Sequence, residues 1–177
     1  MAATREKIFP VADYDLDATL ASGQTFRWRR ERGAWTGVVS GRWVQLSAKK
    51  QAIRAQTAEP VVDWSWLADY LQIGTDLAAV LASFPDDEPM RRAVAACRGL
   101  RLLRQDPWEC LASFILSSTK QIVQIEQIVS LLCERFGEPV LVGRVAPRAP
   151  LIANESILVH DDGAHGVTRP TTTFTFP

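Results

Sequence analysis

The chain divides into three parts by the spacing of its apolar positions. From about residue 14 to residue 56, apolar and polar positions alternate between glycines in the runs FRWRR, AWTGVVS, RWVQLS and AIRAQ. This pattern is typical of an antiparallel meander, with short turns predicted at Ser40-Gly41 and at Ala48-Lys49-Lys50. From about residue 61 to residue 136 the apolar spacing lengthens to three or four residues and predicts helices. The sequence therefore predicts an α+β fold in which helices pack on an N-terminal antiparallel sheet.

Two of the predicted helices meet at a polar corner. Asp106 is predicted to cap the first helix, which should end near Ser117. Ser118 is then predicted as the N-cap of the second helix, with Gln121 completing a capping box and Gly137 ending the helix. The corner should present hydroxyl, ammonium and amide groups beside free backbone N–H groups, an arrangement that suits an anion.

Three tryptophans recur through the predicted meander. Trp28, Trp35 and Trp43 lie among arginines, which is also the pattern of a base-stacking platform. Alternation, however, places large aromatic side chains on the buried face of a sheet. We expect all three tryptophans in the core.

The charges are segregated although the formal net charge of the 177 residues is zero. A basic stretch contains Glu31 as its one opposing charge, and an acidic stretch without lysine or arginine follows it. A solvated strand face is the favoured interpretation of the basic stretch, with a local phosphate-facing surface as the alternative. The basic residues are Arg27, Arg29, Arg30, Arg32, Arg42, Lys49, Lys50 and Arg54.

The cysteine and histidine positions do not favour a metal site. Cys97, Cys110 and Cys133 are too far apart for a CxxC pair and are expected to be buried thiols. His160 and His165 are interpreted as part of a solvated turn, because no second group of ligands accompanies them. The N-terminus has no apolar signal region, and no run reaches the roughly 18 apolar residues of a spanning helix. We expect a soluble, intracellular protein without a membrane partner.

Three separated motifs resemble one family. They are LASGQTFRWR from Leu20, AWTG from Ala34 and RLLRQDPWECLASFILSSTKQI from Arg101, and the resemblance covers about residues 13–137. In this order they resemble the 8-oxoguanine DNA glycosylases, N-glycosylase/lyases that remove oxidised guanine from DNA. The resemblance implies a monomer that acts on double-stranded DNA containing 8-oxoguanine and that needs no metal or organic cofactor.

The resemblance also implies which residues would contact DNA. Gly23 occupies the position whose backbone carbonyl accepts the N7–H that oxidised guanine has and guanine lacks. The corner positions Thr119, Lys120, Gln121 and Gln124 correspond to side chains that fill the gap in the duplex and contact the orphaned cytosine. Many family members have an Arg at the last of these positions, so we expect weaker discrimination for cytosine here. Lys120 is interpreted equally well as a phosphate contact or as an exposed lysine.

No catalytic residue is assigned. The family's hairpin lysine and its later aspartate have no counterpart after Gly137, where the sequence contains no lysine and has no helical period. The sequence therefore predicts an N-terminal α+β domain over 1–103, an incomplete start of the helical glycosylase domain over 104–137 and an aberrant or disordered tail over 138–177. Two hypotheses follow: a truncated DNA-repair protein of this family that is inactive alone, or a non-catalytic DNA- or protein-binding remnant.

Overall fold

The computed structural model describes residues 2–118, 120–142 and 173–177. Five strands form one antiparallel sheet, in which they lie in the order β1-β5-β4-β3-β2. The strands are β1 (Thr4–Pro10), β2 (Arg29–Glu31), β3 (Ala34–Val39), β4 (Arg42–Lys49) and β5 (Ala52–Val61). The helices are α1 (Leu16–Ala21), α2 (Ser65–Tyr70), α3 (Leu77–Ala82), α4 (Glu88–Ala96), α5 (Pro107–Leu116) and α6 (Ile122–Phe136). The predicted α+β fold is confirmed.

The predicted meander corresponds to β2 to β5. Ser40 and Gly41 have φ values of 48° and 71°, the left-handed conformation that a tight two-residue hairpin turn requires. The turn predicted at Ala48-Lys49-Lys50 lies one residue later, because β4 continues through Lys49 in register with Ala52 of β5. Gln51, with φ of 53°, supplies the left-handed residue of that turn.

Two N-terminal elements were not predicted. Strand β1 pairs with β5 along the edge of the sheet, and Arg54 there donates two hydrogen bonds to the carboxylate of Glu6, at 2.7 and 2.6 Å. Helix α1 lies within the stretch that was interpreted as alternating, and Asp15 caps it by accepting a hydrogen bond from the backbone N–H of Ala18. At six residues it is too short for its apolar spacing to stand out from alternation.

The main core lies between the sheet and the helices α1 and α2. Trp28, Trp35 and Trp43 are all buried, which confirms the expectation. Trp28 and Trp35 belong to this main core, whereas Trp43 pairs with Val38 and is buried outside it. A Cβ atom on Gly37 of β3 would lie only 2.7 Å from the ring of Trp28, so the absence of a side chain there lets the indole pack against the strand. The fully buried members with the largest side chains are Leu46, Ile53, Leu67, Leu71 and Val44.

The corner between α5 and α6 differs from the prediction at one position. Asp106 caps α5 as expected, accepting from the backbone N–H groups of Trp108 at 2.9 Å and Glu109 at 3.0 Å. The prediction of Ser118 as the second N-cap is wrong, because Gln121 is the N-cap of α6. Backbone hydrogen bonds from Ser118 to Ile115 and from Lys120 to Ser117 continue the turn at the end of α5, and α6 begins only at Ile122.

The three thiols have different environments. Cys133 of α6 is buried as expected, whereas Cys97 and Cys110 are exposed. Cys97 follows α4, a helix without buried residues, and Cys110 lies away from Ala112 and Ser113, the buried positions of α5. The expectation of buried thiols is therefore wrong at these two positions.

A second, smaller core lies on α6. Ile125, Val129 and Cys133 are packed there by Phe26, Leu116, Phe174 and Phe176. The last two belong to the C-terminal residues, where β7 (Thr173–Phe174) pairs antiparallel with β6 (Pro139–Val140). Most of the predicted tail, residues 143–172 with both histidines, lies outside the described residues.

Candidate nucleic-acid interface

Gly23 lies in the turn that follows α1. Its φ of +81° falls in the left-handed region, where glycine carries no Cβ penalty, and its surface is half-buried. Before it, the hydroxyl of Ser22 donates to the carbonyl of Thr19 at 3.0 Å and closes the end of the helix. The glycine therefore has a defined backbone conformation at the protein surface.

Gln24 joins this turn to a segment about eighty positions later in the chain. Every polar atom of its side-chain amide has a partner, and so does its backbone carbonyl. Three acceptors share the two N–H groups of Nε2: Thr19 O (3.0 Å), Ser22 Oγ (3.0 Å) and Arg101 O (2.9 Å). The side-chain oxygen Oε1 accepts from Leu103 N (2.8 Å), and the backbone carbonyl accepts from Gln105 Nε2 (2.5 Å). The sequence motif contained Gln24, but nothing in its spacing identified these distant partners.

Arg101 is the buried residue at this contact between the glycine turn and the segment before α5. Its backbone N–H donates to Thr19 Oγ1 at 3.1 Å, and its guanidinium donates to the carbonyls of Gly99 at 3.1 Å and Ala12 at 3.3 Å. The guanidinium also lies 5.1 Å from the ring centroid of Tyr14. Burial raises the pKa of the Tyr14 hydroxyl, although the nearby Arg101 acts in the opposite direction. These contacts hold α1 and the residues before it against the segment that leads into α5.

A buried ion pair connects the same region to α5. Arg27 contacts the carboxylate of Glu109 at 3.4 Å, and only 9% and 18% of their side chains are exposed. Arg27 also donates to the backbone carbonyl of Phe174. Burial raises the pKa of Glu109, and the charge of Arg27 opposes that shift without cancelling it. Sequence spacing could not identify this pair either.

The corner approaches Gly23 in space. The Cδ1 atom of Ile122, the first residue of α6, lies 3.6 Å from the position that a Cβ on Gly23 would occupy. The fold therefore brings the glycine turn and the start of α6 together, although they are about a hundred positions apart in sequence. Of the other predicted corner residues, Lys120, Gln121 and Gln124 are exposed beside this contact, and Thr119 lies outside the described residues.

Two corner side chains have distinct surroundings. Gln124 Oε1 accepts from the backbone N–H of Gln121 at 3.0 Å and so fixes the first turn of α6. Lys120 has no carboxylate within 4.0 Å among the residues whose structure is described. The corner therefore carries an unneutralised ammonium group beside the N-terminal end of a helix, where the macrodipole also attracts anions.

Several arginines of the basic stretch are neutralised by residues from elsewhere in the chain. Arg30 contacts Asp17 at 2.9 Å, and Arg54 contacts Glu6 at 2.6 Å. Arg42 instead stacks over Trp66, with its guanidinium carbon 5.2 Å from the ring centroid. These contacts reduce the positive field that the sequence suggested for the meander.

The described residues contain no group of three potential metal ligands, and none of their helices has the length and apolar character needed to cross a membrane. Nor do the described residues bring an amine and a carboxylate together at the corner. The closest acidic residue of α5 in sequence, Glu109, pairs with Arg27 instead.

The family described as 8-oxoguanine DNA glycosylase, N-terminal domain, matches residues 8–111. The chain belongs to the 8-oxoguanine DNA glycosylase family. It is 30% identical over 138 residues to N-glycosylase/DNA lyase OGG1 of Arabidopsis thaliana, a match that covers 71% of this chain and 38% of that protein. It is also 30% identical over 139 residues to the probable N-glycosylase/DNA lyase of Methanothermobacter thermautotrophicus, covering 73% and 44%. The chain thus spans less than half the length of these curated relatives.

Solved structures show the same likeness. MBOgg1 in complex with a low affinity DNA ligand superposes with a TM-score of 0.73 at 30% identity, covering 83% of this chain and 51% of that one. The apo-form of the Clostridium acetobutylicum 8-oxoguanine glycosylase/lyase superposes with a TM-score of 0.71 at 24% identity, covering 77% and 48%. This second similarity concerns the fold alone. The expected family membership is confirmed.

Proposed function

We propose that this chain binds duplex DNA and recognises 8-oxoguanine at the surface formed by Gly23 and the corner. The main support is that the glycine turn and the first residue of α6 are neighbours in space, since Ile122 Cδ1 lies 3.6 Å from where a Cβ on Gly23 would be. A base extruded from the duplex would meet the backbone of Gly23 there. The chain's family supports the same substrate class.

The chemistry of the lesion explains why a backbone acceptor would suffice. Oxidation at C8 turns N7 of guanine from an acceptor into an N–H donor, so one fixed carbonyl oxygen distinguishes the two bases. Extruding the base costs a few kcal/mol of stacking and pairing, which contacts to the base, the partner strand and the backbone must offset. Glycine allows such a carbonyl to approach the base closely.

The corner residues would contact the DNA left behind by the extruded base. Lys120 would bind a phosphate, since no described carboxylate neutralises its ammonium group. Gln124 would offer its amide NH₂ to the orphaned base, because its Oε1 is engaged by the backbone of Gln121. Thr119 and Gln121 would complete this surface. A single amide lacks the bidentate geometry of an arginine, so discrimination for cytosine would be weak.

We assign binding, and not excision, to this chain. Its 177 residues contain no counterpart of the hairpin lysine and aspartate that the family resemblance calls for. The proposed organisation is an α+β domain over 1–103, the start of the helical domain over 104–137 and a distinct segment over 138–177. Support for the first boundary comes from the main core, whose last member is Leu103. We propose a monomeric, intracellular protein.

A second candidate is binding to another protein through α5. Leu111, Phe114 and Ile115 are 52%, 75% and 61% exposed, an unusually apolar surface for one helix. This candidate would leave the Gly23 turn without a role. A measurement of whether the chain binds DNA distinguishes the DNA-binding function from the protein-binding one.

Fluorescence anisotropy on matched duplexes tests the proposal. The chain should bind a duplex with 8-oxoguanine opposite cytosine more tightly than the same duplex with guanine. Gly23→Ala should abolish that preference, because the strain of a Cβ at φ +81° would turn the carbonyl away. Gly33→Ala is the matched control, with the same φ of +81° and no atom within 4 Å of the added Cβ. Equal binding of the two duplexes by the wild-type chain would refute the proposal.

A further inference from the structure

Both polar atoms of the Gln24 side chain are hydrogen-bonded within the protein, which an exposed glutamine does not need. Its amide nitrogen has three acceptors and its amide oxygen one donor, at 2.8 to 3.0 Å. Two of these partners, Arg101 and Leu103, belong to the segment that leads into α5. Gln24, which directly follows Gly23, therefore links the glycine turn to the segment before α5, the helix that ends at the corner.

We propose that Gln24 is a positioning residue that holds the Gly23 backbone in the orientation needed to distinguish 8-oxoguanine from guanine. This inference rests on the proposed function. Gln24 does not contact the base in this account. It acts by fixing the peptide that precedes it.

The physical reason lies in the freedom of glycine. A glycine populates positive and negative φ about equally, so the intrinsic preference of the residue does not keep Gly23 at a φ of +81°. A discriminating acceptor must be held within about 0.5 Å of its productive position. On the N-terminal side of the glycine, the Ser22 hydroxyl is hydrogen-bonded to the Thr19 carbonyl. On the C-terminal side, the Gln24 side chain is hydrogen-bonded to the backbone of Arg101 and Leu103. Both neighbours of Gly23 are therefore immobilised.

The hydrogen bonds of the nearby Thr19 hydroxyl offer a control that distinguishes positioning of Gly23 from general stabilisation of the fold. Thr19 Oγ1 accepts from the backbone N–H of Arg101 at 3.1 Å and donates to Asp15 O at 2.6 Å. Thr19 is fully buried and joins the same two segments, but it is not adjacent to Gly23. Thr19→Val is nearly isosteric and removes both bonds, so it weakens the same joint without releasing the Gly23 peptide.

The test compares Gln24→Met with Thr19→Val in two measurements. Met has the volume of Gln but neither donor nor strong acceptor, so it removes the network and leaves the space filled. The first measurement is NMR relaxation without DNA, observed at the Gln24 backbone amide, because that N–H lies in the same peptide plane as the Gly23 carbonyl. Gln24→Met should lower the order parameter of this amide from about 0.85 to below about 0.6. Thr19→Val should leave it near the wild-type value. An unchanged order parameter at residue 24 in Gln24→Met would overturn the inference whatever the DNA results.

The second measurement is the ratio of dissociation constants for the guanine and 8-oxoguanine duplexes. Gln24→Met should lower this ratio by about tenfold, while affinity for the guanine duplex changes less than about twofold. Thr19→Val should keep the ratio. A folded Gln24→Met that keeps the wild-type ratio would refute the positioning role alone. A wild-type chain with no preference would instead refute the proposed function, and the relaxation measurement would still decide whether Gln24 positions Gly23.

Discussion

At the residue scale, a few side chains with partners distant in sequence hold the Gly23 turn, α1 and α5 together. The motif around Gly23 and Gln24 could be identified from the sequence, because the family resemblance points to it. Three partners of Gln24, namely Arg101, Leu103 and Gln105, lie 77 to 81 positions away, and Glu109 lies 82 positions from Arg27. Such contacts are set by how the sheet and α5 pack together, which a local pattern does not encode.

Gly37 provides a prediction about the packing of Trp28. In Gly37→Ala the new methyl group would lie 2.7 Å from the indole ring, which is buried and cannot move away freely. We expect the free energy of unfolding to fall by about 1–3 kcal/mol, as measured by chemical denaturation. Gly74→Ala is the control, because nothing lies within 4 Å of its added Cβ. Equal effects of the two substitutions would contradict this packing.

Glu109 provides a prediction about pH. Its folded pKa is raised by burial above the ordinary 4.5, so its contribution to stability is fully present below that value and is lost as pH rises through the folded pKa. Glu109→Gln cannot ionise and should become more stable relative to the wild type as the pH rises from the ordinary 4.5 through the raised folded pKa. Urea denaturation across this range measures the difference. A difference that moves the other way would mean that pairing with Arg27 outweighs burial.

At the element scale, regular elements were predicted well and their ends less well. The meander and the Asp106 cap of α5 follow from alternation and from capping chemistry. Strand β1 was missed because its only signal is pairing with β5, and α1 because it is shorter than two turns. At the corner, Ser118 has the chemistry of an N-cap, but the turn that ends α5 continues past it and Gln121 is the N-cap of α6.

The corner provides a prediction about salt. Because Arg30 and Arg54 of the meander are paired with carboxylates and Arg42 is stacked on Trp66, few phosphate contacts remain, and the dissociation constant should rise with salt with a shallow slope of about two to four released ions. Lys120→Ala should reduce that slope by about one. Lys7→Ala, on the exposed strand β1, is the control and should leave the slope unchanged. An unchanged slope in Lys120→Ala would mean that this lysine faces solvent and touches no phosphate.

At the scale of the whole molecule, two cores share one short stretch of chain. Trp28 belongs to the main core, and Phe26, two residues earlier, packs on the second core at α6. The stretch between Gly23 and Trp28 is therefore where the sheet, α5 and α6 are joined. This explains how a motif at the start of a strand and a corner between two helices come to form one surface.

The absence of an assigned nucleophile provides a prediction about chemistry. Excision requires an amine held about 3–3.5 Å from the sugar, and the described residues hold no amine beside a carboxylate at the corner. Borohydride should therefore trap no adduct between this chain and DNA containing 8-oxoguanine, even at high protein concentration. An adduct that disappears in Lys120→Ala would identify Lys120 as a nucleophile. An adduct that persists in that variant would point to the N-terminal amine, Lys7, Lys49 or Lys50.

The most direct test of the central claim is an NMR titration of the chain with two duplexes that differ only in 8-oxoguanine or guanine opposite cytosine. Amides of residues 120–124 should shift with both duplexes, because the corner contacts the backbone of either. The Gly23 and Gln24 amides should shift differently with the lesion, while those of α3 (Leu77–Ala82) should not move. Lesion-dependent shifts confined to other residues, with Gly23 unchanged, would contradict the account.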